Sequence, residues 1–181
     1  MINTFSMVLQ FLINTFGTLF LIAVLLRLLL QRARADFYNP ICQMLVKITN
    51  PLLIPLRRII PGLAGWDTAS IVLALIVQVV ILMLIAGVVG FPINGYILVV
   101  ALVRLAGLVL HIYFFAILLR AVASWLNPNP YSPAMMLLIQ LTEPVLAFTR
   151  RYIPSAGGLD FSPLIVLILI QVILIMLRQF M

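Results

Sequence analysis

Two arginine pairs and the aspartates that follow them are the residues of this chain best suited to chemistry. Arg57-Arg58 and Arg150-Arg151 each stand just before an Ile-Pro step, and Asp67 and Asp160 each lie ten residues beyond the first arginine of the pair. Guanidinium groups near a helix C-terminus complement its dipole and can reach lipid phosphate. They read either as topological anchors or as a binding site for an anionic lipid or a partner protein. A carboxylate just before an apolar helix accepts from its first free N–H groups, so Asp67 and Asp160 read as caps, with an Arg to Asp bridge across each connection also within reach. Thr49 and Thr142 stand two residues before Pro51 and Pro144, where a hydroxyl can cap a helix that restarts after a proline break.

Other groups offer less. Cys42 is the single cysteine and His111 the single histidine, so neither a disulfide within the chain nor a metal or haem site with several ligands is expected. No Ser/His/Asp arrangement, phosphate-cradling glycine loop or close carboxylate pair is present, and Gly157-Gly158 reads as a turn beside a cap. No enzyme activity and no cofactor are expected. Four polar side chains fall inside apolar runs: Gln78, Gln171, Arg104 and His111. Buried polarity in a membrane marks function by default, but bland readings also fit. The two glutamines read as helix glue facing one another, His111 as a packed or hydrogen-bonded neutral imidazole, and Arg104 as a snorkelling cation or part of an ion path.

The elements that must hold these groups follow from composition. Of 181 residues 65% are hydrophobic and 8% charged, and the mean hydropathy is +1.29, which excludes a soluble domain of this size. Eleven Lys+Arg against four Asp+Glu give a net charge of +7, yet the cations are too scattered in apolar sequence for a nucleic-acid face. Four stretches approach the roughly 20 residues needed to cross a bilayer: about 5–30, 69–91, 97–119 and 161–180. The first has no preceding Lys or Arg and no clear cleavage site, so it reads as a retained anchor. Pro92 and Gly95 punctuate a tight link that makes the second and third spans antiparallel neighbours. Nine cations fall at the two long connections and two nearer the other side, which predicts cytoplasmic connections and extracytoplasmic termini.

Sliding the chain by 93 residues aligns 49–83 with 142–176 and gives twelve identities in 35 positions, among them Thr49/Thr142, Arg57/Arg150, Asp67/Asp160 and Gln78/Gln171. The same offset carries Arg27 onto Arg120. The chain therefore divides into a first repeat, 1–92, and a second, 93–181, each built as span, amphipathic connection, span. Their pseudo-twofold axis is expected along the membrane normal. The connections, 40–61 and 133–154, show helical apolar periodicity, and their prolines predict two short helices with an elbow. The second is apolar enough to read as a re-entrant segment.

Asp36-Phe37-Tyr38-Asn39-Pro40, the run from Pro51 to Pro61 and the sequence Gly157-Gly158-Leu159-Asp160-Phe161-Ser162-Pro163 resemble the YggT family of bacterial inner-membrane proteins, over almost the whole chain and including the duplication. The resemblance implies a small multi-pass protein of the cell inner membrane. It associates bacterial relatives with osmotic-shock tolerance and ion balance, and single-copy plastid relatives with cytochrome assembly and nucleoid distribution.

The fold expected is thus an all-α membrane protein of four transmembrane helices from two tandem repeats. The function expected is a non-enzymatic accessory or scaffold factor in osmotic or envelope homeostasis. Its partners would be membrane lipids, anionic ones included, a membrane protein or further copies of itself, with no nucleic acid. The alternative is a small ion channel or transporter. The near absence of acidic residues and of a polar stripe in the spans favours the accessory role.

Overall fold

An apolar run in lipid must satisfy every backbone group within itself, and the helix is the local solution. The computed structural model describes residues 3–62, 65–90, 95–126, 132–152 and 160–180, with six α-helices among them. These are α1 (Thr4–Arg32), α2 (Pro40–Ile59), α3 (Thr68–Val89), α4 (Ile97–Leu126), α5 (Pro133–Arg150) and α6 (Ser162–Leu177). Four of them, α1, α3, α4 and α6, are long and apolar enough to cross a membrane, the last with the 3-10 turn Arg178–Phe180 added. The chain is an all-α protein of the membrane type. Helix α4 runs seven residues past the expected end of the third span because Arg120 does not stop it: its guanidinium is satisfied by α5.

The connections differ from expectation. Each is one continuous helix, with Pro51 and Pro55 inside α2 and Pro144 inside α5, so the predicted elbow is absent and α5 does not reverse as a re-entrant segment would. A proline removes one intrahelical donor without ending a helix whose flanking turns are held by other contacts. Here Arg27 grips Thr49 and Asn50, and Arg120 grips Thr142 and Glu143, at the turns where a break was expected. Both helices start alike. Asn39 accepts from Ile41 N–H and Ser132 from Met135 N–H, and each is followed by a proline whose missing N–H would have had no partner.

Packing of the spans is unequal. Helix α1 lies against α3 along its length, and Gly17 permits the close approach, since a methyl group there would come within 2.5 Å of Ile81 Cδ1. Helix α3 also packs on α4, and α4 on α6. The larger core gathers Leu21, Val24, Leu28, Leu53 and Leu73 with Ile112 from α4 and Leu137 from α5; a smaller one joins Ile117, Leu146, Val166 and Ile170. The repeats also meet where Asn39 Nδ2 donates to the Pro133 carbonyl at 2.8 Å. Helix α6 is outermost, packed on α4 and α5 and, among the described residues, without a comparable contact to α1 or α3.

That layout corrects the expected glutamine pair. Gln78 is buried in α3, whereas Gln171 is exposed on α6, so equivalent positions of the repeat find different surroundings. One span sits between two neighbours and the other at the edge. The tight link at Pro92 lies outside the described residues; Gly90, with φ of 80°, ends α3 in the left-handed conformation that glycine adopts without strain.

Candidate functional site

All four acidic residues of the chain, Asp36, Asp67, Glu143 and Asp160, lie at the end of the bundle that carries α2 and α5. There each repeat builds an arginine-centred cluster. In the first, Arg27 projects from α1 and is only 5% exposed. Its Nη1 donates to Thr49 Oγ1 at 2.5 Å and to Asn50 Oδ1 at 2.9 Å. Thr49 passes its own proton to the Leu45 carbonyl at 2.7 Å, which leaves its oxygen free to accept from Arg27. Arg57, at the end of α2, pairs with Asp67, and Asp67 caps α3 by accepting from the Ser70 hydroxyl at 2.6 Å and the Ser70 N–H at 3.4 Å. Burial works against the Asp67 carboxylate, but the hydrogen bonds from Arg57 and Ser70 outweigh it and hold its pKa below the ordinary value.

In the second repeat, Arg120 donates from Nη1 to Thr142 Oγ1 at 2.8 Å and from Nη2 to Glu143 Oε2 at 2.6 Å. Arg150 extends the chain of ion pairs, with Nη1 to Glu143 Oε1 at 2.9 Å and Nε to Asp160 Oδ2 at 2.8 Å. Asp160 accepts from the Ser162 N–H at 2.9 Å and so caps the start of α6. The hydrogen bond from Arg120 leads in depressing the Glu143 pKa, while the hydrogen bond to Asp160 leads in raising that of Arg150. For Asp160 burial again opposes ionisation, and the bonds from Ser162 and Arg150 prevail to lower its pKa.

The two clusters have the same skeleton and different charge. Two guanidinium groups face two carboxylates in the second. In the first, Asn50 stands where the second has Glu143, so Arg27 and Arg57 face Asp67 alone and one positive charge is uncompensated. Beside it lies a cavity of about 640 Å³, walled by Arg27, Gln31, Arg57, Trp66 and Asp67 among others. That volume is in the range of ligand sites, about 300–1,000 Å³. Arg32 stacks over Trp66 with its guanidinium carbon 5.2 Å from the ring centroid, a further cation against the cavity wall. An uncompensated guanidinium in a cavity of this size is suited to an anionic group such as a phosphate.

The sequence-predicted residues divide accordingly. Arg57, Arg150, Asp67, Asp160, Thr49 and Thr142 are brought into the clusters, while Arg58 and Arg151 are exposed outside them. Thr49 and Thr142 accept from arginines instead of capping a restarted helix. Sequence reasoning counted Arg27 and Arg120 only as topological cations and so missed their central place. The signal was available in the same 93-residue offset, which superposes Arg27 with Thr49 on Arg120 with Thr142. In the spans, His111 sits on the exposed face of α4 with Nδ1 2.7 Å from the Gly107 carbonyl, hydrogen-bonded but not packed inside. Arg104 borders a separate cavity near the opposite end. Among the described residues no cluster of His, Cys, Asp and Glu able to hold a metal is found.

Comparison with known proteins gives the same duplication. The CCB3/YggT family pattern matches the chain twice, over residues 6–88 and 99–181, which fall on α1–α3 and α4–α6. An uncharacterized protein of Pseudomonas aeruginosa is 42% identical, over 90% of this chain and 84% of its own length. The uncharacterized protein YggT of Escherichia coli is 39% identical, over 91% of this chain and 86% of its own. The uncharacterized protein ycf19 of Cyanidium caldarium is 42% identical over 71 residues, which make up 39% of this chain and 78% of that protein. No solved structure matches the chain.

Proposed function

Because the chain belongs to the CCB3/YggT family, we propose that it is a non-enzymatic accessory factor of the bacterial inner membrane, acting in osmotic or envelope homeostasis by holding an anionic lipid headgroup in the first-repeat cavity. The connections then face the cytoplasm and both termini the outside, as the excess of cations at α2 and α5 favours. The observation that carries the reading is the replacement of a carboxylate by Asn50: it leaves Arg27 buried, hydrogen-bonded only to neutral oxygens, and beside a cavity large enough for a headgroup. A buried cation without a counter-charge is costly, and a phosphate supplies one.

The channel reading has less support. Leu21, Val24 and Leu73 are buried in the apolar core inward of the Arg27 cavity, and among the described residues no polar stripe runs through the spans. The deciding experiment measures phosphatidylglycerol and phosphatidylcholine retained by the purified protein, together with ion flux in liposomes. Selective retention of phosphatidylglycerol that Arg27→Gln removes, without flux, is the expected result. Flux above empty liposomes, or equal retention of the two lipids by both proteins, would overturn it. Reporter fusions after Met181 and an insertion near Gly62 test the orientation, with the first expected outside and the second inside.

A further inference from the structure

At the end of the bundle away from α2 and α5, three polar side chains of two spans line one cavity. Arg104 on α4 and Gln10 and Asn14 on α1 line a cavity of about 510 Å³ with Phe11 and, from α3, Ile85. With a rise of 1.5 Å per residue, Arg104 lies about 10 Å along α4 from its start; α4, about 45 Å long, overhangs a bilayer core of about 30 Å, so a centred helix puts Arg104 just inside the edge of the apolar layer. Among the described residues, none of the three side chains has a hydrogen-bond or ion-pair partner. No Asp or Glu side chain can serve, because all four are at the other end, and even Arg120, the near edge of that cluster, is about 24 Å farther along the helix.

A guanidinium in or at the edge of the apolar layer is stabilised by a counter-charge. Among the described residues no acidic side chain is in reach to supply one, which favours an anion from outside. Two carboxamides beside the guanidinium supply further N–H donors, a set matched to the several acceptor oxygens of a phosphate. The cavity also has Phe11 in its wall, and Phe11 is 67% exposed on the outer surface of α1, so the opening is lateral, toward lipid. The offset that relates the repeats carries Phe11 onto Arg104, which means that the first repeat supplies an apolar wall where the second supplies the cation. We infer that Arg104, Gln10 and Asn14 form a second anion site, which takes the phosphate group of a phospholipid drawn down from the nearer leaflet.

Four full-length proteins test this: the wild type, Arg27→Gln, Arg104→Gln and the double variant. Each is titrated in detergent with short-chain phosphatidylglycerol and, separately, with inorganic phosphate, with bound species read by native mass spectrometry and stabilisation by thermal melting. The wild type should hold two classes of lipid. Arg104→Gln should weaken one class about tenfold or more and leave the class lost in Arg27→Gln intact. Gln10→Leu with Asn14→Leu, which keeps the cation, should weaken the same class less and serves if Arg104→Gln does not fold. Saturable stabilisation by lipid and not by inorganic phosphate supports the lipid source; the same response to both places the site in reach of free phosphate and overturns the lipid assignment. Arg104→Gln and the Gln10/Asn14 variant each binding both probes like the wild type would overturn the site itself, whatever becomes of the Arg27 cavity.

Discussion

In the first repeat Arg27 meets Thr49 and Asn50; in the second Arg120 meets Thr142 and Glu143. The reach of the arginine across to the connection helix, its threonine acceptor and the arginine to aspartate bridge ten residues on are all duplicated. What differs is one side chain and, with it, the charge. The scaffold is set by the arginine and threonine, which pin a proline-containing helix to a span. The adjacent position decides whether the cluster is a neutral chain of ion pairs or a cationic cavity. The depth of the clusters differs as well: the Asp67 side chain is 7% exposed and that of Asp160 40%.

The unequal depth gives the largest expected effect. Asp67→Leu strands Arg57, removes the cap of α3 and leaves the Ser70 hydroxyl unpaired, at an expected cost of about 2–3 kcal/mol. Asp160→Leu removes a more exposed bridge and should cost about 1 kcal/mol or less, since Arg150 keeps Glu143 and water reaches the site. Denaturant titration of both variants in the same detergent checks the order. Equal losses would mean that burial does not distinguish the two repeats.

Packing offers the second contrast. Gly17 lets α1 close on Ile81 of α3, while the equivalent residue in α4 is Leu110, a bulky side chain at the same position of the repeat. Gly17→Leu should overpack the α1 and α3 seam and destabilise by about 1–3 kcal/mol, read as a lower melting temperature. An unchanged melting temperature would show that the seam can open at no cost.

Exchange of the distinguishing residue tests the comparison directly. Asn50→Glu should give the first cluster the charge balance of the second and weaken retention of phosphatidylglycerol about fivefold, the worth of about 1 kcal/mol for one charge near an anionic surface. Glu143→Asn should free Arg120 in the second cluster and raise retention by a similar factor. If neither exchange moves lipid retention, the charge difference has no bearing on ligand choice.

Much of this was legible in the residues. The four spans, the duplicated unit and the pairing of arginines with aspartates follow from hydropathy, the 93-residue offset and spacing. Two features were not. The prolines at 51 and 144 argue locally for broken helices, and only the tertiary grip of Arg27 and Arg120 keeps α2 and α5 continuous. The repeat argues that Gln78 and Gln171 are equivalent, but sequence equivalence does not fix neighbours, and α3 has two spans beside it where α6 has one. Asn50 against Glu143 was visible as a mismatch in the alignment and acquires meaning only once both are found beside an arginine from the preceding span.

Acidification should produce the smallest effect and still separate the repeats. Asp67, Glu143 and Asp160 have pKa values depressed in the folded protein, so the stability they contribute is present above the ordinary carboxylate range, about pH 4, and is lost as pH falls through their folded values. In the second repeat two carboxylates titrate and two partly exposed arginines lose partners in turn, so the chain of ion pairs opens by stages, each stage worth little because solvent screens the pairs. In the first repeat a single buried carboxylate titrates, and its protonation breaks both the bridge from Arg57 and the bond from Ser70 in one step. Melting curves recorded from pH 6 to pH 2 should therefore fall for the wild type and lose most of that slope in Asp67→Asn, which keeps an acceptor for Ser70 but cannot titrate. A slope that survives in Asp67→Asn and vanishes in Glu143→Gln would place the acid-sensitive contact in the second repeat and reverse the ranking of the two clusters.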